Sequence, residues 1–302
     1  MGVQPEAEEA AMSCALRCGL SSVRILMEAL SCVHSSAHRA EEVTVSASSS
    51  GEGGLRFTVE DFGCLQICAL LGRESFPSFH CRDEHVSLTV NLNQLFDCLN
   101  VSSGVWDRSV VPLQIEYEGG GSPLVLTMQD KDVTVRSEIV TIEATALTDF
   151  RFLSSNVLSS VILQSESLRD ALTELDFGGA SIAELRISPT DPKVSLHCSS
   201  NVGAACDIVF PDPESHAPLF VAFQSQKKQT SFYKLNFLRR SFKGLSLSKS
   251  TRLRMNSDGM LSLVMSIRFP GASTKYSCFL ECLIVAEEIR ESDMGSSSSM
   301  DG

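Results

Sequence analysis

The sequence predicts an α+β fold of two similar halves, each with two helices on one side of largely antiparallel sheets. Three observations predict it: four short segments with helical spacing, a repeated offset between them, and strand-like alternation elsewhere. The 302 residues are 43% apolar, enough to bury a sizeable core. No stretch approaches the ~20 apolar residues of a membrane span, and residues 1–11 lack the apolar stretch of a signal peptide. We therefore expect a soluble, unexported protein.

Four segments place their apolar residues on one stripe, as amphipathic helices of about three turns do. The stripes consist of Val23, Leu26, Met27, Leu30 and Val33; of Leu92, Leu95, Phe96 and Leu99; of Leu168, Ala171, Leu172 and Leu175; and of Leu235, Leu238 and Phe242. Val23 and Leu168 lie 145 residues apart, and Leu92 and Leu235 lie 143 residues apart. The second half of the chain therefore repeats the helix placement of the first.

Between these helices, apolar and polar residues alternate in runs bounded by turn-forming residues, which predicts strands with one covered face. The runs are Val43/Val45, Leu55/Phe57/Val59, Val86/Leu88/Val90, Leu113/Ile115/Tyr117, Leu124/Leu126/Met128, Leu185/Ile187, Val194/Leu196, Leu253/Met255, Leu261/Leu263/Met265/Ile267 and Phe279/Leu283. We assign a first domain to residues 12–140, a connector to 141–149 and a second domain to 150–290. Residues 1–11 are expected to be a flexible tail, and the acidic, serine-rich residues 291–302 a disordered one.

Basic residues are concentrated in one part of a chain whose net charge is −12. The segment from Ser225 to Ser257 contains nine Lys and Arg residues and no acidic residue. Such a segment on an acidic protein predicts a surface that faces a polyanion such as nucleic acid. The plainer alternative is a solvated helix face together with strand edges.

The eleven cysteines, an odd number, are scattered along the chain, so reduced thiols are expected rather than a disulfide framework. Three pairs share a C-x3-C spacing: Cys14/Cys18, Cys64/Cys68 and Cys278/Cys282. Zinc knuckles usually combine C-x2-C pairs or histidines, and the six histidines complete no such set. We therefore predict no metal site and no cofactor, with the cysteines acting as small buried apolar residues.

Three strings of the chain carry a family resemblance. Val90–Leu99 (VNLNQLFDCL) resembles the second helix of a PCNA-like sliding-clamp domain, and Tyr233–Leu238 (YKLNFL) resembles its counterpart in the next domain. Val161–Asp176 (VILQSESLRDALTELD) is similar to the Rad-one subunits of the heterotrimeric checkpoint clamp called nine-one-one. The resemblance covers most of the chain, over residues 14–287.

The resemblance implies a ring of three similar subunits, with helices lining the hole and sheets outside. Such a ring encircles double-stranded DNA at damage sites in the nucleus, without reading the base sequence. The implied partners are two homologous clamp subunits, a clamp loader, and checkpoint and repair proteins that dock on the ring. No membrane partner is implied.

The basic segment and the first helix supply the candidate DNA-facing residues. They are Arg24, Lys227, Lys228, Lys234, Arg239, Arg240, Lys243, Arg252 and Arg254. On a helical wheel, Arg239, Arg240 and Lys243 share one side of the fourth helix, away from its apolar stripe.

The other helices depart from the clamp pattern, in which lining positions tend to carry Lys or Arg. The second helix has Asp97 and Asn100 at these positions, and the third has Asp170 and Thr173. DNA contact should therefore be concentrated in the second domain, with electrostatic help from the two partner subunits.

In the clamp family, edge strands of neighbouring subunits pair and close the ring. Carried over, these strands are residues 133–141 and 204–210; without the resemblance they would be ordinary edge strands of a monomer. The candidate contact residues are Val133, Val135, Ile139, Ala204, Cys206, Ile208 and Phe210. The resemblance also implies a peptide pocket beside the connector, with Ile142 and Leu147 as its candidate residues.

The main alternative function is a metal-dependent 3'-5' exonuclease acting on DNA, because exonucleases are described among relatives of the resembling subunit. Such a site needs several carboxylates around one or two Mg²⁺ ions. The candidate pairs are Glu60/Asp61, Asp130/Asp132 and Glu174/Asp176, and thiol sites could combine Cys98 or Cys198 with His85 or His197. We favour a non-catalytic protein, because carboxylate pairs are common in an acidic chain and the sequence lacks Walker A, G-x-S-x-G and H-E-x-x-H motifs.

Overall fold

The computed structural model of the chain describes residues 14–35, 41–50, 53–101, 107, 110–144, 146–175, 179–200, 203–210, 219–269 and 277–288. The tails expected at residues 1–11 and 291–302 lie outside these ranges, as does Asp176. Within the described ranges, no helix has the length and hydropathy needed to cross a membrane.

Strands dominate both halves of the described chain. In the first half the elements are β1 Leu16–Leu20, α1 Val23–Val33, β2 Glu42–Ser48, β3 Gly54–Asp61, β4 Leu65–Gly72, β5 Ser78–Cys81, β6 His85–Asn91, α2 Leu92–Asn100, β7 Leu113–Tyr117, β8 Leu124–Asp130 and β9 Val133–Ile139. In the second half they are β10 Val157–Gln164, α3 Ser165–Glu174, β11 Ile182–Ile187, β12 Val194–Ser199, β13 Ala205–Phe210, β14 Phe220–Ser225, β15 Gln229–Lys234, α4 Leu235–Arg239, α5 Phe242–Leu247, β16 Ser248–Asn256, β17 Leu261–Arg268 and β18 Ser277–Ile284.

The two halves have the same strand order. In the first half β5-β1-β7-β8-β9 form one sheet, and β4-β3-β2-β6 lie side by side in another. The second half repeats both arrangements as β14-β10-β16-β17-β18 and β13-β12-β11-β15. All of these pairings are antiparallel. The predicted α+β fold of two similar halves with largely antiparallel sheets is therefore confirmed.

One strand pair joins the halves. β18 pairs antiparallel with β4, from Cys278 opposite Leu71 to Ile284 opposite Leu65. The pairing fuses a five-stranded and a four-stranded sheet into one sheet of nine strands. Alternate residues of both strands are buried on the same side, including Leu280 and Ile67, so the core also runs across the junction.

The helices cover the buried face of the sheets, and local caps define their starts. The Ser22 side chain accepts a hydrogen bond from the Arg24 amide, and the Asn91 side chain accepts one from the Gln94 amide. At the start of α3, the Ser165 hydroxyl lies 2.8 Å from the Thr251 hydroxyl of β16. Because the apolar stripes face the strands, the opposite, polar sides of the helices form a continuous surface on one side of the molecule.

The fourth predicted helix is broken in two, which corrects the sequence analysis. α4 ends at Arg239 and α5 begins at Phe242, and the buried Ser241 between them donates its hydroxyl to the Leu238 carbonyl. Gly244 then brings α5 close to the sheet, since a Cβ there would lie 2.3 Å from a Leu280 methyl. Arg240 is tied to Glu41 and to the Val33 carbonyl, whereas Lys243 is exposed. A single helical wheel, which puts both on one side, therefore misplaces Arg240.

The positions of the strands were largely predictable, but for β18 the prediction assigned the wrong residues to the buried face. Every predicted run falls in a strand, but in β18 the buried residues alternate with Phe279 and Leu283, which lie on the face without helices. Phe279 is 46% exposed. The alternation pattern predicted that Phe279 and Leu283 lie on the covered face of the sheet. In the structure, Cys278 and Cys282 are the buried residues instead.

Extended segments cover two further strand edges. After β9, the connector pairs with β6, and Ile142 and Thr89 exchange two backbone hydrogen bonds of 2.8 and 3.1 Å. After β18, the corresponding segment follows β15, where the Glu287 amide donates to the Phe232 carbonyl. Glu60 anchors the far end of the connector by accepting hydrogen bonds from the amide and the hydroxyl of Thr148.

Candidate nucleic-acid interface and docking surfaces

Few Lys and Arg side chains on the polar surface of the helices are both exposed and outside an ion pair, among the described residues. On α5, Lys243 is exposed, and it borders a shallow groove with Arg24 and Glu28 of α1. Arg24 is partly neutralised, because its guanidinium lies 2.6 Å from the Glu28 carboxylate one turn later. The exposed charges of α3 include Glu166, Asp170 and Glu174. The charge distribution on the helices is therefore lopsided.

Arg240 does not belong to this surface. Its side chain is only 16% exposed, and its guanidinium lies 2.7 Å from the Glu41 carboxylate, which is 12% exposed. It also donates 2.8 Å to the carbonyl of Val33, the last residue of α1. A cation at the C-terminal end of a helix is favourable, because the final carbonyl groups carry partial negative charge. Arg240 therefore ties the second half of the chain to the first.

Arg252 and Arg254 lie on the opposite face of the nine-stranded sheet. Because side chains alternate along a strand, the buried Leu253 between them points to the helices and the two arginines point away. Arg254 is 3.1 Å from the Glu281 carboxylate and stacks on the Phe152 ring at 5.0 Å. Neither arginine can line a surface that the helices form.

The remaining predicted cations have mixed settings. Lys227 and Lys228 are exposed in the turn between β14 and β15. Lys234 pairs with Glu287 at 3.1 Å and lies over the Phe237 ring. Arg239 is half-buried at the end of α4. The exposed members of the predicted set are thus Arg24, Lys227, Lys228, Lys243 and the outward-facing Arg252.

The two predicted contact strands are sheet edges. β9 pairs only with β8, and β13 pairs only with β12, in the described part of the chain. Val133 is 54% exposed, whereas Ile139 and Phe210 are 2% and 5% exposed and belong to the core. The side chains of Ile139 and Phe210 are therefore unavailable to a neighbour. Val133, Val135, Ala204, Cys206 and Ile208 remain at least partly exposed.

A cavity of about 610 Å³ lies between the connector and the outer face of the sheet, meaning the face without helices. Of the two candidate residues for a peptide pocket, Leu147 lines this cavity and Ile142 borders a neighbouring depression. Arg56 and His85, which no sequence pattern predicted there, also line the cavity. No sequence motif marks them, because they come together only through strand pairing.

The candidate catalytic residues either have a structural role or do not lie next to one another. Glu60 holds the connector through Thr148, and no group of three or more His, Cys, Asp or Glu side chains in the described ranges is placed to hold a metal ion. Burial raises the pKa of the Cys198 thiol to about 11, which disfavours the thiolate at neutral pH. His197 is its neighbour in β12, so the two side chains point to opposite faces, and His197 lies 2.8 Å from Asp207.

Comparison with known proteins gives one family. The sequence profile of the family described as "Repair protein Rad1/Rec1/Rad17" matches residues 15–267. The mouse (Mus musculus) protein named "Cell cycle checkpoint protein RAD1" is 33% identical over 89% of this chain and 91% of its own length. The human (Homo sapiens) protein of the same name is 32% identical over 91% and 93%. The "DNA repair exonuclease REC1" of Mycosarcoma maydis is 29% identical over 50% of this chain and 38% of its own length.

The placement of Arg240 and Lys243 gives a prediction about stability. Replacing Arg240 with Met leaves the largely buried Glu41 carboxylate without its cation, and should lower the free energy of unfolding by about 2–4 kcal/mol. The same replacement at the exposed Lys243 should change it by less than ~0.5 kcal/mol. Urea unfolding of both variants checks this. Equal stabilities of the two variants would contradict the structural role of Arg240.

Proposed function

Because the chain belongs to the Rad1/Rec1/Rad17 repair-protein family, we propose that it is one subunit of a heterotrimeric sliding clamp that encircles DNA at damage sites. In this role it serves the DNA-damage checkpoint as a docking platform for signalling and repair proteins in the nucleus. A clamp loader places the ring on DNA. The subunit itself is non-catalytic.

The repeated strand order carries the ring proposal. β18 and β4 pair inside the chain, and their counterparts in the other half are β9 and β13. Among the strands that the structure describes, neither counterpart has a second neighbour, so the junction made once within the chain could be made again between chains, β9 of one subunit with β13 of the next. Three chains of two halves would close such a ring. The exposed Val133 and the partly exposed Val135 and Ile208 would lie at these junctions.

The helix surface would then line the hole. A closed ring holds DNA topologically, so the lining needs only diffuse attraction to phosphates and no contact with bases. In this chain the attraction would come mainly from Lys243 and Arg24, and further from Lys227 and Lys228 in the exposed turn between β14 and β15. The acidic α3 would repel DNA phosphates, so the attraction from this subunit alone would be too weak to hold DNA. The two homologous subunits would supply the remaining positive charge.

An exonuclease is a second candidate, favoured by one observation. The REC1 relative carries that name, but the match spans only 38% of its length. Glu60 and Asp61 end β3, Asp130 and Asp132 flank the turn after β8, and Glu174 ends α3, without a third ligand among the described side chains. The non-catalytic role is therefore the better supported of the two.

Charge reversal tests the DNA-facing role. In the assembled ring, Lys243→Glu combined with Lys227→Glu and Lys228→Glu should weaken retention on circular DNA and lower the salt dependence of binding by about one unit per cation in contact. Arg252→Glu is the matched control, because Arg252 is exposed on the face away from the helices. Retention that responds to Arg252→Glu instead would reverse the proposed orientation.

Edge variants test ring closure. Val135→Glu on β9 should abolish association with one partner subunit and preserve the other, and Ile208→Glu on β13 should do the reverse, because a buried unpaired carboxylate is costly at a strand junction. Sedimentation of the chain with each partner separately measures both associations. Each variant serves as the folding control for the other. Loss of neither association, or of both together, would argue against two separate edges.

A metal-dependence assay addresses the nuclease. Any Mg²⁺-dependent DNA hydrolysis in purified preparations should be unchanged in a variant carrying Asp130→Asn, Asp132→Asn and Glu174→Gln, since we assign these carboxylates no ligand role. Degradation of end-labelled DNA is the measurement. If the substitutions abolish hydrolysis while the protein remains folded by circular dichroism, the exonuclease is restored as the function.

A further inference from the structure

Two cysteines face each other at the last strand of the four-stranded sheet in the second half. Cys198 of β12 lies directly opposite Cys206 of β13 in the antiparallel register. Directly opposed side chains point to the same face of a sheet, which here is the face that packs against the core. No other register of the described strands places two cysteines opposite each other. The register thus distinguishes these two thiols from the other cysteines of the described strands.

The backbone spacing at this pair suits a disulfide bond. The Ser200 amide donates a hydrogen bond of 2.8 Å to the Ala204 carbonyl, which marks these residues as a hydrogen-bonded pair of the ladder. Pair types alternate along an antiparallel ladder, so Cys198 and Cys206, two positions further on, also form a hydrogen-bonded pair. Cα atoms in such pairs are about 5.5 Å apart, within the roughly 4.4–6.8 Å that disulfide bonds span.

Closing the bond requires a small movement of β13. Directly opposed Cβ atoms lie about 4.5–5.5 Å apart, whereas a disulfide joins Cβ atoms about 3.5–4.5 Å apart, so the strands must approach each other by about 1 Å. Among the described strands, β13 pairs only with β12, so no second ladder holds it in place from the other side. The movement is therefore confined to the edge of the sheet.

The two thiols have different surroundings. Cys198 is 1% exposed, and its thiol donates a hydrogen bond of 3.5 Å to the carbonyl of Leu175, just after α3. Burial, and then the neighbouring Cys206 and Asp207, raise the pKa of Cys198 to about 11, so it stays protonated at neutral pH and is a poor nucleophile. Cys206 is only partly buried. An oxidant in solution therefore reaches Cys206 first.

We propose that Cys198 and Cys206 form a reversible disulfide bond when the chain meets a peroxide, so that this strand edge is an oxidation-sensitive site. The Cys206 sulfur attacks one oxygen of hydrogen peroxide, the O–O bond breaks, and a sulfenic acid and water result. The Cys198 sulfur then attacks the sulfenic sulfur, the S–O bond breaks, and the oxygen leaves as water with the Cys198 proton. The two thiols lose two electrons, and hydrogen peroxide accepts them as it becomes two water molecules. A dithiol reverses the bond by thiol–disulfide exchange.

The bond forms within one chain, so the inference goes beyond the proposed function and does not rest on it. Disulfides inside cells are as a rule transient and serve redox sensing, which agrees with a bond that forms only when an oxidant is present. In the proposed ring, β9 of a neighbouring subunit would cover Cys206. The full chain without partner subunits is therefore the form to test.

Peroxide treatment of the purified full chain tests the bond. The tryptic peptide of residues 194–227 contains Cys198 and Cys206 and no other cysteine, and the peptide of residues 83–108 contains Cys98 alone. After hydrogen peroxide, N-ethylmaleimide in urea and digestion, mass spectrometry should show the loss of both maleimide labels from the first peptide. Dithiothreitol before labelling should restore both labels. Cys98 is also partly buried but lies on α2, outside any strand register, and should keep its label.

Two variants separate the roles of the thiols. Cys198→Ala removes the second thiol, so the sulfenic acid on Cys206 should persist and be captured by dimedone. Cys206→Ser should leave Cys198 labelled after peroxide, because a buried, protonated thiol reacts poorly. Retention of both labels in the unmodified chain, equal loss of the Cys98 label, or loss of the Cys198 label in Cys206→Ser would each overturn the proposal. A dimer on non-reducing electrophoresis, in place of the internal bond, would overturn it as well.

Discussion

The antiparallel pairing of β18 with β4 is the constraint on which the rest of the structure depends. It turns two similar folding units into one continuous sheet, with backbone hydrogen bonds from Cys278 to Ile284 and an unbroken core beneath. The halves cannot rotate freely about such a ladder, so their helices stay on one side. Arg240 adds a second tie on that side, from the α4–α5 break to the end of α1 and to Glu41.

Charge in the sequence is a weaker guide to function than the position of each charge in the fold. The Lys and Arg residues of the basic segment are close in sequence, but the fold places them on different surfaces. Strand alternation sends Arg252 and Arg254 outward, an ion pair removes Arg240, and Lys243 remains on the helix surface. In the proposed ring, the small number of cations that remain would leave part of the electrostatic attraction to DNA to the neighbouring subunits.

Much of the fold was predictable from the sequence, because helices and strands each give a short-range pattern of apolar residues. The apolar stripes predicted the bounds of α1 and α2 to within two residues. The repeated spacing of the helices predicted that the two halves are similar. The break between α4 and α5 was not predictable, because Gly244 packs against Leu280 of β18, a contact between residues far apart in the sequence. The pairing of Arg240 with Glu41 joins residues from different halves, and the placement of Arg56 and His85 in the lining of one cavity depends on register across β2. Local sequence does not encode such long-range contacts.

The segment after β18 runs along β15 in the same way that the connector after β9 runs along β6. In a duplicated chain, these two stretches occupy equivalent places, so the connector is what a C-terminal extension becomes once a second copy is fused behind it. The connector is held at both ends, by the pairing of Ile142 with β6 and by the hydrogen bonds of Thr148 to Glu60, and this places Ala144, Ala146 and Leu147 over the sheet.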